Sequence, residues 1–99
     1  MTIAEFMSVK ITTVQKIIVD FKDPFTSHEF IEKFSKKFEP AYIDFLNQYG
    51  KKGSFKIVHG QIARFLSVNS PILGIKKLGK FSSRTVFGDM DRIEKWEKI

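Results

Sequence analysis

The basic side chains in the middle of the chain are the residues whose types and spacing could do chemistry. From Phe45 to Gly88, 44 consecutive residues contain no Asp or Glu. The cations of this acid-free block are Lys51, Lys52, Lys56, Arg64, Lys76, Lys77, Lys80 and Arg84. Such an excess of positive charge attracts polyanions, and nucleic acid is the commonest polyanion for a small basic protein. The block therefore predicts nucleic-acid binding.

The distribution of charge along the chain favours this interpretation over plain solubility. Residues 1–39 hold six acids and six bases, residues 89–99 hold four acids and three bases, and Asp44 is the only acid between. The net charge of +6 therefore comes from the middle of the chain. Charge that serves only solubility would scatter along the sequence, although a solubilising role for the lysines remains the alternative.

Catalytic motifs are missing from the sequence. Cysteine is absent, which excludes thiol nucleophiles, disulfides and thiolate metal sites. Neither His28 nor His59 belongs to an H-E-x-x-H spacing, no serine lies in G-x-S-x-G, and no phosphate-binding G-x-x-x-x-G-K-[ST] loop is present. The sequence predicts a protein that is not an enzyme and that uses no metal and no cofactor, with the two histidines in capping or structural roles.

The length and hydropathy predict one folded domain, residues 1–99. A hydrophobic content of 42% in 99 residues is sufficient for a core. No apolar run approaches the roughly 18 residues of a membrane span, and Glu5 and Lys10 interrupt any signal peptide. We therefore expect a cytoplasmic protein with no membrane partner.

The first half of the chain is predicted to form helices. Thr12 to Lys22 has apolar residues at helical spacing behind a Thr12–Gln15 capping box, whereas residues 1–11 fit either a short helix or a loose arm. In a second helix that starts at Ser27, Thr26 and Glu29 form a capping box, flanked by a hydrophobic staple of Phe25 and Phe30. A third helix runs from Pro40 to Tyr49, before Gly50.

The second half predicts one more helix and a hairpin. Gly53 to Val58 alternates weakly and predicts a short strand, and the segment from His59 to Asn69 predicts a helix that ends before Pro71. Two further strands, Ile72–Leu78 and Arg84–Phe87, are predicted around a loop at Gly79–Ser83. The tail from Asp89 to Ile99 predicts a short helical turn, with Ile93 and Trp96 on one side.

Helices followed by an outward-basic helix and a cationic hairpin resemble the winged helix-turn-helix superfamily of DNA-binding domains. The resemblance implies an α+β fold: a mainly helical bundle of three to four helices followed by a C-terminal β-hairpin wing. Residues 12–58 would supply the supporting helices, residues 59–70 the candidate recognition helix and residues 72–87 the candidate wing. The nine residues from Gly50 to Val58 are longer than the turn of a simple helix-turn-helix. Either a strand is inserted there, or the helix before Gly50 is not the partner of the helix that begins at His59.

The resemblance also implies the site residues. The recognition helix would place Gln61, Arg64 and Ser67 in the major groove of double-stranded DNA, and the wing would lay Lys76, Lys77, Lys80 and Arg84 on the backbone. Gln pairs with adenine and Arg with guanine, whereas lysines position a protein on phosphate. Lys51, Lys52 and Lys56 complete the predicted DNA-binding set. The function expected is that of a transcriptional or accessory regulator.

Two other partners remain open. A protein-interaction module with a winged-helix-like fold would dock on an acidic partner or on a second copy of itself, with Phe81 and Trp96 as apolar anchors. RNA binding would need exposed aromatic rings, and the eleven Phe stand mostly at core-like spacing. Arg64 has its own alternative, as a surface residue that covers Phe65 or pairs with Asp44.

Overall fold

The computed structural model describes residues 1–50, 53–84 and 90–99. Within these ranges the chain forms six helices and a three-stranded antiparallel sheet. The elements in chain order are α1 (Ile3–Val9), α2 (Ile11–Asp20), β1 (Phe25–Thr26), α3 (Ser27–Lys37), α4 (Glu39–Gln48), α5 (Ser54–Val68), α6 (Ser70–Leu73), β2 (Ile75–Arg84) and β3 (Met90–Lys98). The α+β class, with helices followed by a C-terminal hairpin, is confirmed.

Helix α3 begins at the predicted residue, with the predicted cap. The Thr26 hydroxyl accepts a hydrogen bond from the Glu29 backbone N–H at 3.0 Å, and the Glu29 carboxylate accepts one from the Thr26 backbone N–H at 3.1 Å. Phe25 and Phe30, the two residues of the staple, are fully buried. Local side-chain chemistry therefore determines where this helix starts.

The N-terminal residues form a helix of their own, and this changes how α2 begins. A capping box of Thr2 and Glu5 starts α1, which leads into α2 through Lys10 alone. The predicted Thr12–Gln15 capping box is wrong, because α2 starts at Ile11 and Thr12 is already inside the helix. Gln15 instead donates a hydrogen bond from Nε2 to the carbonyl of Ile72, at 3.2 Å.

Helix α5 is longer than predicted. The strand expected over Gly53–Val58 is wrong, because this segment is the first part of α5, which contains most of the predicted recognition helix. The buried residues Val58, Ile62 and Phe65 recur at intervals of four and three, the period of a helix face. Pro71 is the second residue of α6, a new helix that begins at Ser70, two residues after α5 ends at Val68.

Strand β3 is the middle strand of the sheet, in the order β1-β3-β2. The helical turn predicted for the tail is therefore wrong: Trp96 pairs with Phe25 of β1 on one side and with Lys77 of β2 on the other. Two apolar residues three apart, Ile93 and Trp96, fit a helical turn by sequence, but pairing with two neighbouring strands makes the segment extended.

Strand β2 continues through the predicted loop at Gly79–Ser83, so that prediction is also wrong. A register shift between Lys77 and Gly79 marks a β-bulge, and Gly79 has a φ of 130°, which glycine adopts at little cost. Of the second predicted wing strand, Arg84 is the last residue of β2 and residues 85–87 lie outside the described ranges.

The core lies between the helices and the inner face of the sheet. Trp96 is 1% exposed, and its indole N–H donates a 2.9 Å hydrogen bond to the Ser27 hydroxyl. A side chain buried in this way cannot serve as the apolar anchor that the alternative, protein-binding prediction assigned to Trp96. Lys98 fixes the end of β3, since its backbone N–H donates to the Asp23 carboxylate at 2.9 Å and its ammonium donates to the carbonyls of Val19 and Phe21. Across the described ranges, no helix has the length and apolar character needed to cross a membrane.

Candidate nucleic-acid interface

The outer side of α5 carries a row of residues one turn apart. Lys56, Gly60 and Arg64 follow one another at intervals of four and all are exposed, while the opposite face packs into the core. We call these three residues the α5 strip. No Asp or Glu occurs anywhere in Ser54–Val68. A Cβ built on Gly60 would meet no atom within 4 Å, so the surface between the two cations is open.

The other two predicted residues of this helix lie on its flanks. Ser67 and Gln61 are half-buried. The Gln61 amide is held against α4, because its Nε2 donates to the Tyr49 hydroxyl at 3.0 Å and its Oε1 lies 3.2 Å from the same hydroxyl. To pair with a base, Gln61 would have to give up this partner. The structure thus brings Arg64, rather than Gln61, to the open face.

Two of the predicted hairpin cations are paired with acids. The Lys76 ammonium lies 2.7 Å from the Glu97 carboxylate, and the Lys77 ammonium lies 3.7 Å from that of Glu94. The hydrogen bond to Glu97 and its negative charge raise the pKa of Lys76. Both acids belong to β3, outside the acid-free block, and antiparallel pairing places them opposite β2. An acid-free run in sequence is therefore not an acid-free surface.

The remaining predicted cations are placed as follows. Lys80 is exposed on β2 and has no ion pair among the described residues, although Glu94 is its partner in the register. Arg84 ends β2, where its backbone pairs with Met90. Lys51 and Lys52 lie outside the described residues. Among the predicted cations whose side chains the structure describes, those left open are thus Lys56 and Arg64 on α5 and Lys80 on the hairpin.

His59 joins α4 to α5 near the strip. Its Nε2 lies 2.7 Å from the Tyr42 hydroxyl, and the two rings stack at 5.8 Å. Burial, together with the charge of His28, lowers the pKa of His59, and burial raises the pKa of Tyr42. Near neutral pH the imidazole is therefore uncharged, and in the tautomer protonated at Nδ1 its Nε2 accepts a hydrogen bond from the Tyr42 hydroxyl. His59 lies inside α5, so it does not cap this helix.

The described part of the chain contains no group of three or more His, Cys, Asp or Glu side chains arranged to hold a metal ion. No protein-family model, no curated protein and no solved structure matches the chain. The function must therefore be inferred from the geometry of the site.

Proposed function

We propose that this protein binds double-stranded DNA without catalysing a reaction and acts as a transcriptional or accessory regulator. Helix α5 lies in the major groove in this proposal, and the β2–β3 hairpin follows the backbone as a wing. The observation that carries the proposal is the α5 strip: two exposed cations flank a glycine on a 15-residue helix that has no acid.

The dimensions and chemistry of the strip fit a duplex. The major groove is about 12 Å wide and admits one α-helix. Arg64 carries the planar fork that pairs with guanine, and the bare backbone at Gly60 lets the helix approach closely. Lys56 stands in the first turn of α5, where the helix dipole disfavours a cation. A phosphate bound at this position would offset that cost.

The hairpin contributes less than the sequence suggests. Lys76 and Lys77 are partly neutralised by Glu97 and Glu94, so a phosphate must compete with a carboxylate for each of them. Lys80 is the hairpin cation best placed to meet the backbone. The helices precede the antiparallel hairpin in the chain, which is the order of elements that resembles winged helix-turn-helix domains. We assign most of the affinity to α5.

A protein-binding role for the same surface is the second candidate, and the observation that favours it is apolar. Ile57 and Val68, both on α5, are 39% and 66% exposed. A partner protein would bury both side chains, whereas a DNA backbone would gain little from them. Replacing Ile57 and Val68 by Ser should therefore leave duplex binding unchanged if the first candidate is correct.

Salt dependence tests the proposal directly. Anisotropy of a labelled random-sequence duplex should show binding that weakens from about 50 to 200 mM salt, with a slope set by the number of phosphates contacted. Since Lys56 contacts a phosphate and Arg64 a base in this proposal, replacing both by Gln should weaken binding and reduce the log–log slope by about 0.9, the contribution of one phosphate contact.

The matched control is Lys36→Gln on α3. Lys36 is exposed and paired with Glu32 at 3.1 Å, so the control removes one lysine charge from a different surface. Its slope should equal that of the unmodified protein. Absence of binding at the lowest salt, or equal slopes for the control and the double variant, would overturn the proposal.

A further inference from the structure

A cleft of about 410 Å³ lies between α2 and α3, and none of the described residues of α5, β2 or β3 lines it. Its lining residues are Thr13, Lys16, Ile17, Asp20, Phe21, Lys33 and Lys37. The volume falls within the range of about 300–1,000 Å³ that is typical of small-molecule sites. The cleft is therefore large enough for a small ligand and separate from the surface proposed to bind DNA.

The floor of the cleft consists of apolar side chains that pack against the core. Ile17 and Phe21 are half-buried and pack against the core. The ring of Phe21 stacks on the fully buried Phe25 at 5.0 Å, with 14° between the ring planes. A floor supported in this way keeps its shape when the cleft is filled, and it favours a hydrocarbon or aromatic group.

The walls of the cleft are cationic. Lys16 projects from α2, and Lys33 and Lys37 stand one turn apart on α3. None of the three forms an ion pair among the residues the structure describes, although the neighbouring Lys36 is paired with Glu32. Lys33 and Lys37 repel each other at this spacing, and an anion between them would relieve the repulsion.

Asp20 limits what the cleft can accept. Among the lining residues that the structure describes it is the one acid, and against three lysines it leaves an excess of two positive charges. One negative group is attracted by that excess, whereas a second negative group near Asp20 would be repelled. The lining therefore favours a ligand with one anionic head over a polyanion such as a nucleic-acid strand.

We propose that the cleft binds a small amphipathic anion, with a carboxylate or phosphate head among Lys16, Lys33 and Lys37 and an apolar body on Ile17 and Phe21. The proposal is independent of the proposed DNA binding, because the two surfaces share no residue. It identifies a site at which a metabolite of this class binds the protein.

An NMR titration of the full chain with octanoate tests the site. Amide shifts should saturate and should cluster in residues 13–21 and 33–37. Octanol, which lacks the charge, should bind at least roughly tenfold more weakly, as expected for the loss of a hydrogen bond to a charged group. Inorganic phosphate, which lacks the apolar body, should also bind at least roughly tenfold more weakly, because it buries no apolar surface. Octyl phosphate in place of octanoate tells which head group is preferred.

Variants connect the binding to the named residues. Lys33→Gln combined with Lys37→Gln should weaken octanoate binding by at least roughly tenfold. Lys36→Gln, on the same helix and outside the cleft, should leave it unchanged, and amide dispersion checks that each variant is folded. If neither octanoate nor octyl phosphate saturates, if octanol binds as tightly as octanoate, or if the shifts cluster elsewhere, the proposal is wrong. A duplex titration should shift α5 instead, so each proposal can fail alone.

Discussion

Removal of the Ser27 hydroxyl should destabilise the fold through a single hydrogen bond. That hydroxyl accepts the indole N–H of Trp96 at 2.9 Å, and the two residues are 3% and 1% exposed. The bond joins the first residue of α3 to the central strand of the sheet, across most of the chain. In Ser27→Ala the indole N–H stays buried and has no acceptor left among the bonds described.

The expected cost follows from that geometry. A buried donor left without a partner costs about 1–3 kcal/mol. Other contributions to the lost free energy of unfolding should be small. Thr26, not Ser27, caps α3, and the substitution removes only one oxygen atom. For a domain of this size about 1 kcal/mol corresponds to roughly 4–8 °C, so the midpoint of thermal unfolding should fall by between about 4 and 24 °C.

A double-mutant cycle with Trp96→Phe isolates the bond. The phenyl ring has no N–H, so Ser27→Ala should cost less in the Trp96→Phe background than in the unmodified protein. Urea unfolding followed by far-UV circular dichroism suits all four proteins, because it does not depend on tryptophan fluorescence. If the two substitutions prove additive to within about 0.5 kcal/mol, the hydrogen bond contributes nothing and the reasoning is refuted.

Three further outcomes are expected. Thr26→Ala should lower the free energy of unfolding by about 1 kcal/mol in urea titrations, whereas Thr12→Ala, inside α2, should change it little, and equal losses would contradict the cap assignment. Glu97→Gln should release Lys76, strengthen duplex binding and steepen the salt slope by about 0.9 in the anisotropy assay, and an unchanged slope would place Lys76 away from DNA. The pKa of His59 lies below its ordinary value of 6.5 in the folded protein, so as the pH falls the imidazole is protonated first in the unfolded chain. The contribution of His59 to the free energy of unfolding should therefore be fully present above pH 6.5 and should decrease as the pH drops below that value. Thermal melts should show a smaller acid loss for His59→Gln than for the unmodified protein, and identical losses would exclude this residue as the cause.

Where local chemistry determines a boundary, the sequence was sufficient to predict it. Thr26 and Glu29 exchange hydrogen bonds three residues apart, and α3 starts where their spacing predicts. The strand β3 could not be predicted in this way. Its conformation depends on Phe25 and Lys77, which pair with Trp96 from either side although both are distant in sequence.

The candidate surface was predictable in part for a similar reason. Arg64 was predicted to lie on the outward face of a helix, and it is exposed there. Lys56 was predicted to lie in a strand, and it joins the same face only because α5 begins at Ser54. The acids that neutralise Lys76 and Lys77 were missed, since they follow the acid-free block in sequence and reach it only through strand pairing. A hairpin assigned over residues 75–98 would have placed them correctly.

The cleft between α2 and α3 was hidden by a balance of charge. Residues 1–39 contain equal numbers of acids and bases, so the net charge of this segment is zero and indicates no anion-binding surface. In the folded protein Glu32 forms an ion pair with Lys36. Lys16, Lys33 and Lys37 instead line the walls of one cleft. Net charge over a segment therefore says little about the charge of a particular surface on it.

The central position of β3 has a consequence for how the chain can be assembled or divided. A fragment that stopped before Met90 would keep every helix but would leave Phe25 and Thr26 without a strand beside them, and the space occupied by the indole would be empty. During synthesis, residues 90–98 must leave the ribosome before the sheet can close. The hairpin is thus an integral part of the fold. The helices expressed alone should aggregate or be sensitive to proteases.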